Sequence, residues 1–146
     1  MKIRVASVLD LGEMVPEGIK FLKFIRPDKK TDSNMMYYLL HALVTKGVVF
    51  LAEKDEEIIG GIGGSVVNSH FWPDDVVLTE VFWWVKEEHR CSSAALRLMN
   101  KFIQYGKDNP EITQVVMSVE INSPLNDDVY TKRGFTLKEK SFLMEV

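Results

Sequence analysis

The chain predicts an α/β fold on three observations. Runs with the alternation of strands are interspersed with runs of helical period, one long strand passes directly into a helix, and the 146 residues need neither metal nor disulfide to hold a core. That length suits a single domain over 1–146.

Ile3 to Val8 alternates apolar and polar side chains and opens the fold as a half-buried strand. Leu11, Met14, Val15, Ile19, Leu22 and Phe24 recur near helical spacing, so 9–24 is a helix, broken near Pro16 and Gly18. The polar stretch from Arg26 to Asn34 is a loop. Ser33 or Asn34 caps a second helix over Met35 to Lys46, and Gly47 stops it. Val48 to Ala52 and Ile58 to Val67 form a hairpin across the charged turn Lys54 to Glu57. Gly60, Gly61, Gly63 and Gly64 in the second strand announce a bulge or a close approach of another group.

After the connection His70 to Asp75 comes the strongest strand, Val76 to Val85, which belongs at the centre of the sheet. A helix over 92–107 follows, with Ala95, Leu98, Met99, Phe102 and Ile103 on one face and Asp108-Asn109-Pro110 at its end. Gln114 to Ile121 reads as a strand, Ser123-Pro124 opens a short helix through Lys132, Gly134 stops it, and Phe135 to Val146 closes the chain as a strand.

Composition excludes several classes of function. No apolar run approaches the roughly 20 residues that cross a bilayer, and the N-terminus has no secretory pattern, so a cytoplasmic protein is expected. A formal charge of −3 argues against a nucleic-acid partner. Cys91 is the only cysteine and the three histidines are scattered, so no metal is expected.

Three features carry a resemblance. Val85 is followed by Arg90-Cys91-Ser92-Ser93-Ala94-Ala95, the helix 92–107 comes directly after, and Tyr130-Thr131-Lys132-Arg133-Gly134-Phe135 lies downstream. In this order they resemble the GNAT N-acetyltransferases, whose strand end is followed by Q/R-x-x-G-x-G/A and whose fourth helix ends in Y-x-K-x-G-F. Arg90 and Ala95 match the first pattern, and Ser93 stands where its middle glycine is expected. The resemblance covers 48–146, and upstream it is architectural only.

The resemblance implies a mixed central sheet with flanking helices and a splay between its fourth and fifth strands. That splay admits the pantetheine arm of acetyl-CoA or another acyl-CoA, used as co-substrate. The implied cofactor contacts are the backbone of Trp83, Trp84 and Val85, the loop Arg90 to Ala95, and Asn122, whose spacing to the tyrosine is one residue longer than the family's. Free N–H groups and the helix dipole welcome a pyrophosphate at 90–95, with Arg90 adding a charge-assisted contact and Ser93 a hydroxyl. Taken alone, Ser92-Ser93 reads first as an ordinary helix cap, a preference that the surrounding strand, the arginine and the downstream motif reverse. Cys91 has no histidine and acid arrangement around it and reads as a loop thiol.

Tyr130 is the candidate general acid for the departing thiolate, against the alternative of a packing tyrosine. Glu80, a carboxylate in an apolar strand, is the candidate general base, acting directly or through water, and is as readily a solvent-facing glutamate. Glu120 is a weaker second candidate. The acceptor is an amine of a small molecule or a protein, to be sought near 20–38 and 69–76. A homodimer is compatible with such a fold but has no specific signal. The competing function is an inactive domain of this shape that binds a partner macromolecule through its sheet or the Phe71-Trp72 loop.

Overall fold

The computed structural model describes residues 1–121 and 123–146. Among these, β1 (Lys2–Val5), β2 (Val48–Lys54), β3 (Glu57–Asn68), β4 (Val76–Val85) and β5 (Gln114–Val116) form one open sheet in chain order. The first three pairings are antiparallel and β4–β5 is parallel, so the sheet is mixed. Helices α1 (Leu11–Ile25) and α2 (Ser33–Lys46) cover one face and α3 (Ala94–Asp108) covers the other, while α4 (Asp128–Thr131) follows β5. No described helix is long and apolar enough to cross a membrane.

Alternation along the strands builds the two layers. Val49 and Leu51 of β2 join Leu11, Met14, Leu40 and Leu43 beneath α1 and α2. Val48, Phe50 and Ala52, the intervening residues, join Leu98 and Phe102 beneath α3. Leu98, Met99 and Phe102 have no exposed surface, and each such burial contributes roughly 1.5–3 kcal/mol.

The β3 glycines exist because β4 lies against them. A Cβ on Gly63 would meet the Phe82 ring at 2.5 Å, and one on Gly64 would meet the Thr79 carbonyl at 2.5 Å. The register slips at this point, Gly63 facing Phe82 and Gly64 facing Glu80, so Val81 is an extra residue in β4. The bulge reverses which side chains face α3. Leu78 before it and Trp83 and Val85 after it all lie on that side, whereas Phe82 and Trp84 turn toward α1 and α2.

Several expectations change. The first strand ends at Val5, because Ser7 and Asp10 close a capping box over a 3-10 turn, Val8–Asp10. Helix α1 runs unbroken through Pro16. The proline forfeits a single bond to the Gly12 carbonyl, and buried Leu11 and Met14 hold the turn. Asp32, not Ser33 or Asn34, caps α2 by accepting the N–H groups of Asn34 and Met35. The fifth strand has three residues, and the short helix spans only Asp128–Thr131.

Phe135 to Val146 forms no strand. Phe142, Leu143 and Met144 are consecutive and 80–95% exposed, so none of them is seated on a core. Ion pairs hold this end instead. Glu145 reaches Arg26 at 2.9 Å and Lys29 at 3.6 Å, which ties the C-terminus to the α1–α2 connection.

Candidate active site

The β4–β5 ladder holds three pairs and ends at Thr79 opposite Val116. Beyond it, Gly60 to Gly64 pair one side of the Glu80 to Val85 backbone, and no described strand pairs the other. The sheet therefore opens into a wedge toward the C-terminal end of β4. Backbone groups along such an edge require partners from outside the sheet.

Glu80 stands at the start of the wedge. Its carboxylate accepts the Ser118 N–H at 3.4 Å, one connection across the gap. Burial pushes its pKa above the ordinary glutamate value, and the Ser118 bond pulls back less strongly. Tyr130, on α4, is its neighbour: burial, then the charges of Glu80 and Asp127, hold the phenol proton more firmly than usual. The influence is one-sided, since the phenol is still neutral when the carboxyl titrates. The Tyr130 ring sits between Trp83 and Phe135, edge-on to both at 6.5 and 6.1 Å. The indole N–H of Trp83 is buried without a hydrogen-bond partner.

From Val85 the chain enters a 3-10 turn, Glu87–His89, and then α3. Ser92 Oγ accepts the Ala94 N–H at 3.2 Å, and the Arg97 N–H reaches the Ser93 carbonyl. The N–H groups of Ala95 and Leu96 have no acceptor among the described residues. Two donors at the positive end of a fifteen-residue helix suit an anion. Ser92 is thus the hydroxyl that serves the helix start, while Ser93 makes no side-chain cap bond. Ser93 has φ −75°, open to any residue, so the position requires no glycine.

Arg90 meets two groups of the protein itself. Its Nε donates to the Val85 carbonyl at 3.2 Å, and its guanidinium lies 4.6 Å from the centre of the Phe24 ring. It fastens the loop to β4 and α1, with its remaining N–H groups on the exposed side. The Trp84 and Val85 side chains are buried in opposite cores, which leaves their backbone to face the wedge. Cys91 is an exposed free thiol.

Asn122 lies outside the described residues. Glu120 is exposed and its carbonyl accepts the Ser123 N–H. His41 stacks on Tyr37 at 5.8 Å, and Phe71 and Trp72 are 82% and 64% exposed at the β3–β4 connection. A hollow of about 370 Å³ between α2, β2 and the C-terminal half of α3, lined in part by Val44, Phe50 and Tyr105, holds none of the candidates.

The structure thus brings together Glu80, Trp83 and Tyr130, and sets the 90–95 loop at the end of the same strand. Ser118, Asp127 and Phe24 were not anticipated. Ser118 and Phe24 act across long sequence separation, on Glu80 and Arg90, whereas Asp127 acts on Tyr130 only three residues away, a spacing that the sequence does display.

The family model described as Acetyltransferase (GNAT) family matches residues 19–135. A possible acetyltransferase from Clostridium difficile 630 superposes with a TM-score of 0.78 at 17% identity, covering 99% of this chain and 97% of that one. A predicted acetyltransferase with acetyl-CoA from Clostridium acetobutylicum gives 0.74 at 14%, covering 99% and 95%. An aminoglycoside acetyltransferase from an uncultured soil metagenomic sample gives 0.71 at 15%, covering 99% and 94%. No curated protein sequence matches the chain.

Proposed function

Because the chain belongs to the GNAT acetyltransferase family, we propose that it transfers an acyl group, acetyl foremost, from acyl-CoA directly to a primary amine of a small molecule or protein. The observation that carries this reading is the wedge itself: an open β4 edge with a desolvated carboxyl and a protonated phenol beside it.

The residues present suit an acyl-CoA. The open edge from Glu80 to Val85 offers backbone partners for the amide groups of a pantetheine arm, and the orphaned Trp83 N–H faces a shortage of acceptors that such an arm relieves. The N–H groups of Ala95 and Leu96 are placed for a pyrophosphate, with Ser92, Ser93 and Ala94 keeping the approach low and Arg90 bracing the loop. When bound, the co-substrate supplies a thioester, which activates the acyl carbon toward an amine and leaves as a thiolate.

The chain's own part is proton handling and water exclusion. Glu80, more basic than an ordinary glutamate, takes the proton that an ammonium must lose before it can attack, directly or through a water. Tyr130 keeps its proton at neutral pH and delivers it to the departing sulfur. Trp83 and Phe135 fix the ring that does this. The acceptor approaches past the α1–α2 connection, which the C-terminus braces through Glu145, and past exposed Tyr38, Phe71 and Trp72.

A non-catalytic binding module drew its support from the serine at 93 and from the absence of a certain base; a φ of −75° at Ser93 is open to any residue, which removes the first of these. Mass spectrometry of a panel of amines incubated with acetyl-CoA and the protein tests the proposal. A gain of one acetyl group on an amine supports it. Calorimetry that detects no binding of CoA or acetyl-CoA at millimolar ligand would sink it.

A further inference from the structure

The hollow of about 370 Å³ between α2, β2 and the C-terminal half of α3 takes no part in the chemistry above, and its size falls within the roughly 300–1,000 Å³ of small-ligand sites. It is set apart from the wedge. Lys101 and Asp108, which line it, lie about 10.5 and 21 Å along the α3 axis from Ala94, the end that the 90–95 loop adjoins. We propose that this hollow is a second binding site, for a small amphoteric molecule whose carboxylate and ammonium are held apart by an apolar chain, as in an ω-amino acid.

The body of such a ligand has apolar surface to lie on. Val5, Val44 and Val48 line the hollow beside the ring of Phe50, against which Tyr105 stands edge-on at 5.9 Å. Val48 and Phe50 are buried in the core beneath α3, whereas Val5 is 62% exposed and marks the open side.

Charge decides what the ligand carries at its ends. The charged side chains of the lining are Lys101 and Asp108, seven residues apart on α3 and so on one face, with about 10.5 Å between their Cα atoms. They do not pair with each other. The Lys101 ammonium lies 5.8 Å from the centre of the Phe50 ring and forms no ion pair among the described residues. Asp108 Oδ1 accepts from Gln104 Nε2 at 2.6 Å, and Oδ2 has no donor among the described residues. A ligand of one sign would satisfy one of the two charges and be repelled by the other. Both signs are therefore required, and a chain of about six bonds between them, with a hydrogen bond at each end, covers the span. An α-amino acid, with both charges on one carbon, reaches only one of the two.

The helices fix the direction. Helix α2 meets the hollow with its C-terminal turn, whose last bond runs from the Gly47 N–H to the Leu43 carbonyl, and α3 ends there at Asp108. Helix C-termini carry partial negative charge and carbonyls without intrahelical partners, so the ammonium belongs at Asp108 and the carboxylate two turns back at Lys101.

Isothermal titration of the full chain with ε-aminocaproate, its α-amino isomer norleucine and hexylamine tests the site. Wild type is expected to bind ε-aminocaproate with a Kd of about 1 mM or lower, and about fivefold more tightly than either other probe. Lys101→Ala should abolish the preference over hexylamine, and Asp108→Asn should weaken ε-aminocaproate about fivefold. Lys107→Ala, one residue from Asp108 but outside the lining, should leave binding unchanged. No binding of ε-aminocaproate by wild type at about 10 mM, equal affinity for the three probes, or an undiminished preference in Lys101→Ala overturns the proposal. A loss in Lys107→Ala as large as that in Lys101→Ala overturns it too, because the effect would then follow net charge and not the site. The acyl-CoA reading stands or falls separately, on the titration with CoA.

Discussion

After burial, the charge of Glu80 is the largest influence holding the proton on Tyr130. On the proposed mechanism the two groups have opposite tasks, Glu80 accepting a proton from the amine and Tyr130 keeping its own until the thiolate departs. Tyr130→Phe should lower kcat by about 10²–10⁴ while CoA affinity, read by calorimetry, stays the same. Glu80→Gln should lower kcat over a similar range, about 10²–10⁴. In wild type kcat/KM should rise with pH through a midpoint above the ordinary glutamate value of 4.5, and Glu80→Gln should abolish that acid limb. An unchanged profile would remove Glu80 from the role.

The same carboxyl makes a thermodynamic signature. Its folded-state pKa is raised, so the folded chain holds that proton more tightly than the unfolded chain. The resulting stability is complete below the unfolded value and is lost as pH rises through the folded one. Glu80→Gln cannot ionise, and its melting temperature should gain on wild type between acid and neutral pH. Asp10 behaves in the opposite sense, because hydrogen bonds from Arg4, at 2.8 and 3.0 Å, lower its pKa. Its contribution is present above the unfolded value and lost as pH falls through the lowered one. Asp10→Asn should cost about 1–3 kcal/mol at neutral pH, shrinking toward zero in acid, by chemical denaturation across pH.

The β2–β3 turn is built against preference. Asp55 and Glu56 have φ values of 52° and 66°, left-handed conformations that penalise residues with a Cβ. Replacing the pair with Asn-Gly should raise stability by about 1 kcal/mol, measured from urea midpoints. A drop instead would mean that one of the two side chains stabilises the turn by more than its strain costs.

Gly64 faces the β4 bulge with no room for a methyl group, having the Thr79 carbonyl at 2.5 Å and the Phe102 ring at 2.7 Å from an added Cβ. Gly64→Ala should destabilise by about 1–3 kcal/mol. Because Thr79 is one of the three β4 residues paired with β5, hydrogen exchange at the β5 amides should speed up more than at those of β2. Uniform acceleration would argue that the strain is not local.

Strands β2 to β4 and helices α2 and α3 were legible because period and punctuation agree there: Gly47 stops one helix, Pro110 lies just past another, and alternation runs clear along Val76 to Val85. The four glycines of β3 were legible as a warning, but not as a bulge in the partner strand, since the extra residue, Val81, looks like any valine. The last strand failed for a related reason. Phe135 to Val146 has strand-forming composition, yet what it lacks is a partner, and pairing is a property of two segments. In the site, Tyr130 and Ser92 were visible through motif and capping chemistry. The bond from Ser118 to Glu80 and the seat of Arg90 on Phe24 span tens of residues, and no local pattern encodes them.

Three pairs of residues are all the sheet offers to join β5 to β4, and past them the chain from Met117 onward meets β4 mainly across a gap. On the acyl-CoA reading, a ligand bound in that gap becomes, thermodynamically, a structural member. Each bond it forms with both walls adds cohesion that the polypeptide does not provide for itself, growing with free ligand as RT ln(1 + [L]/Kd). The molecule's resistance to unfolding would then track the supply of its co-substrate, and scarcity would loosen first the part of the chain that carries Tyr130.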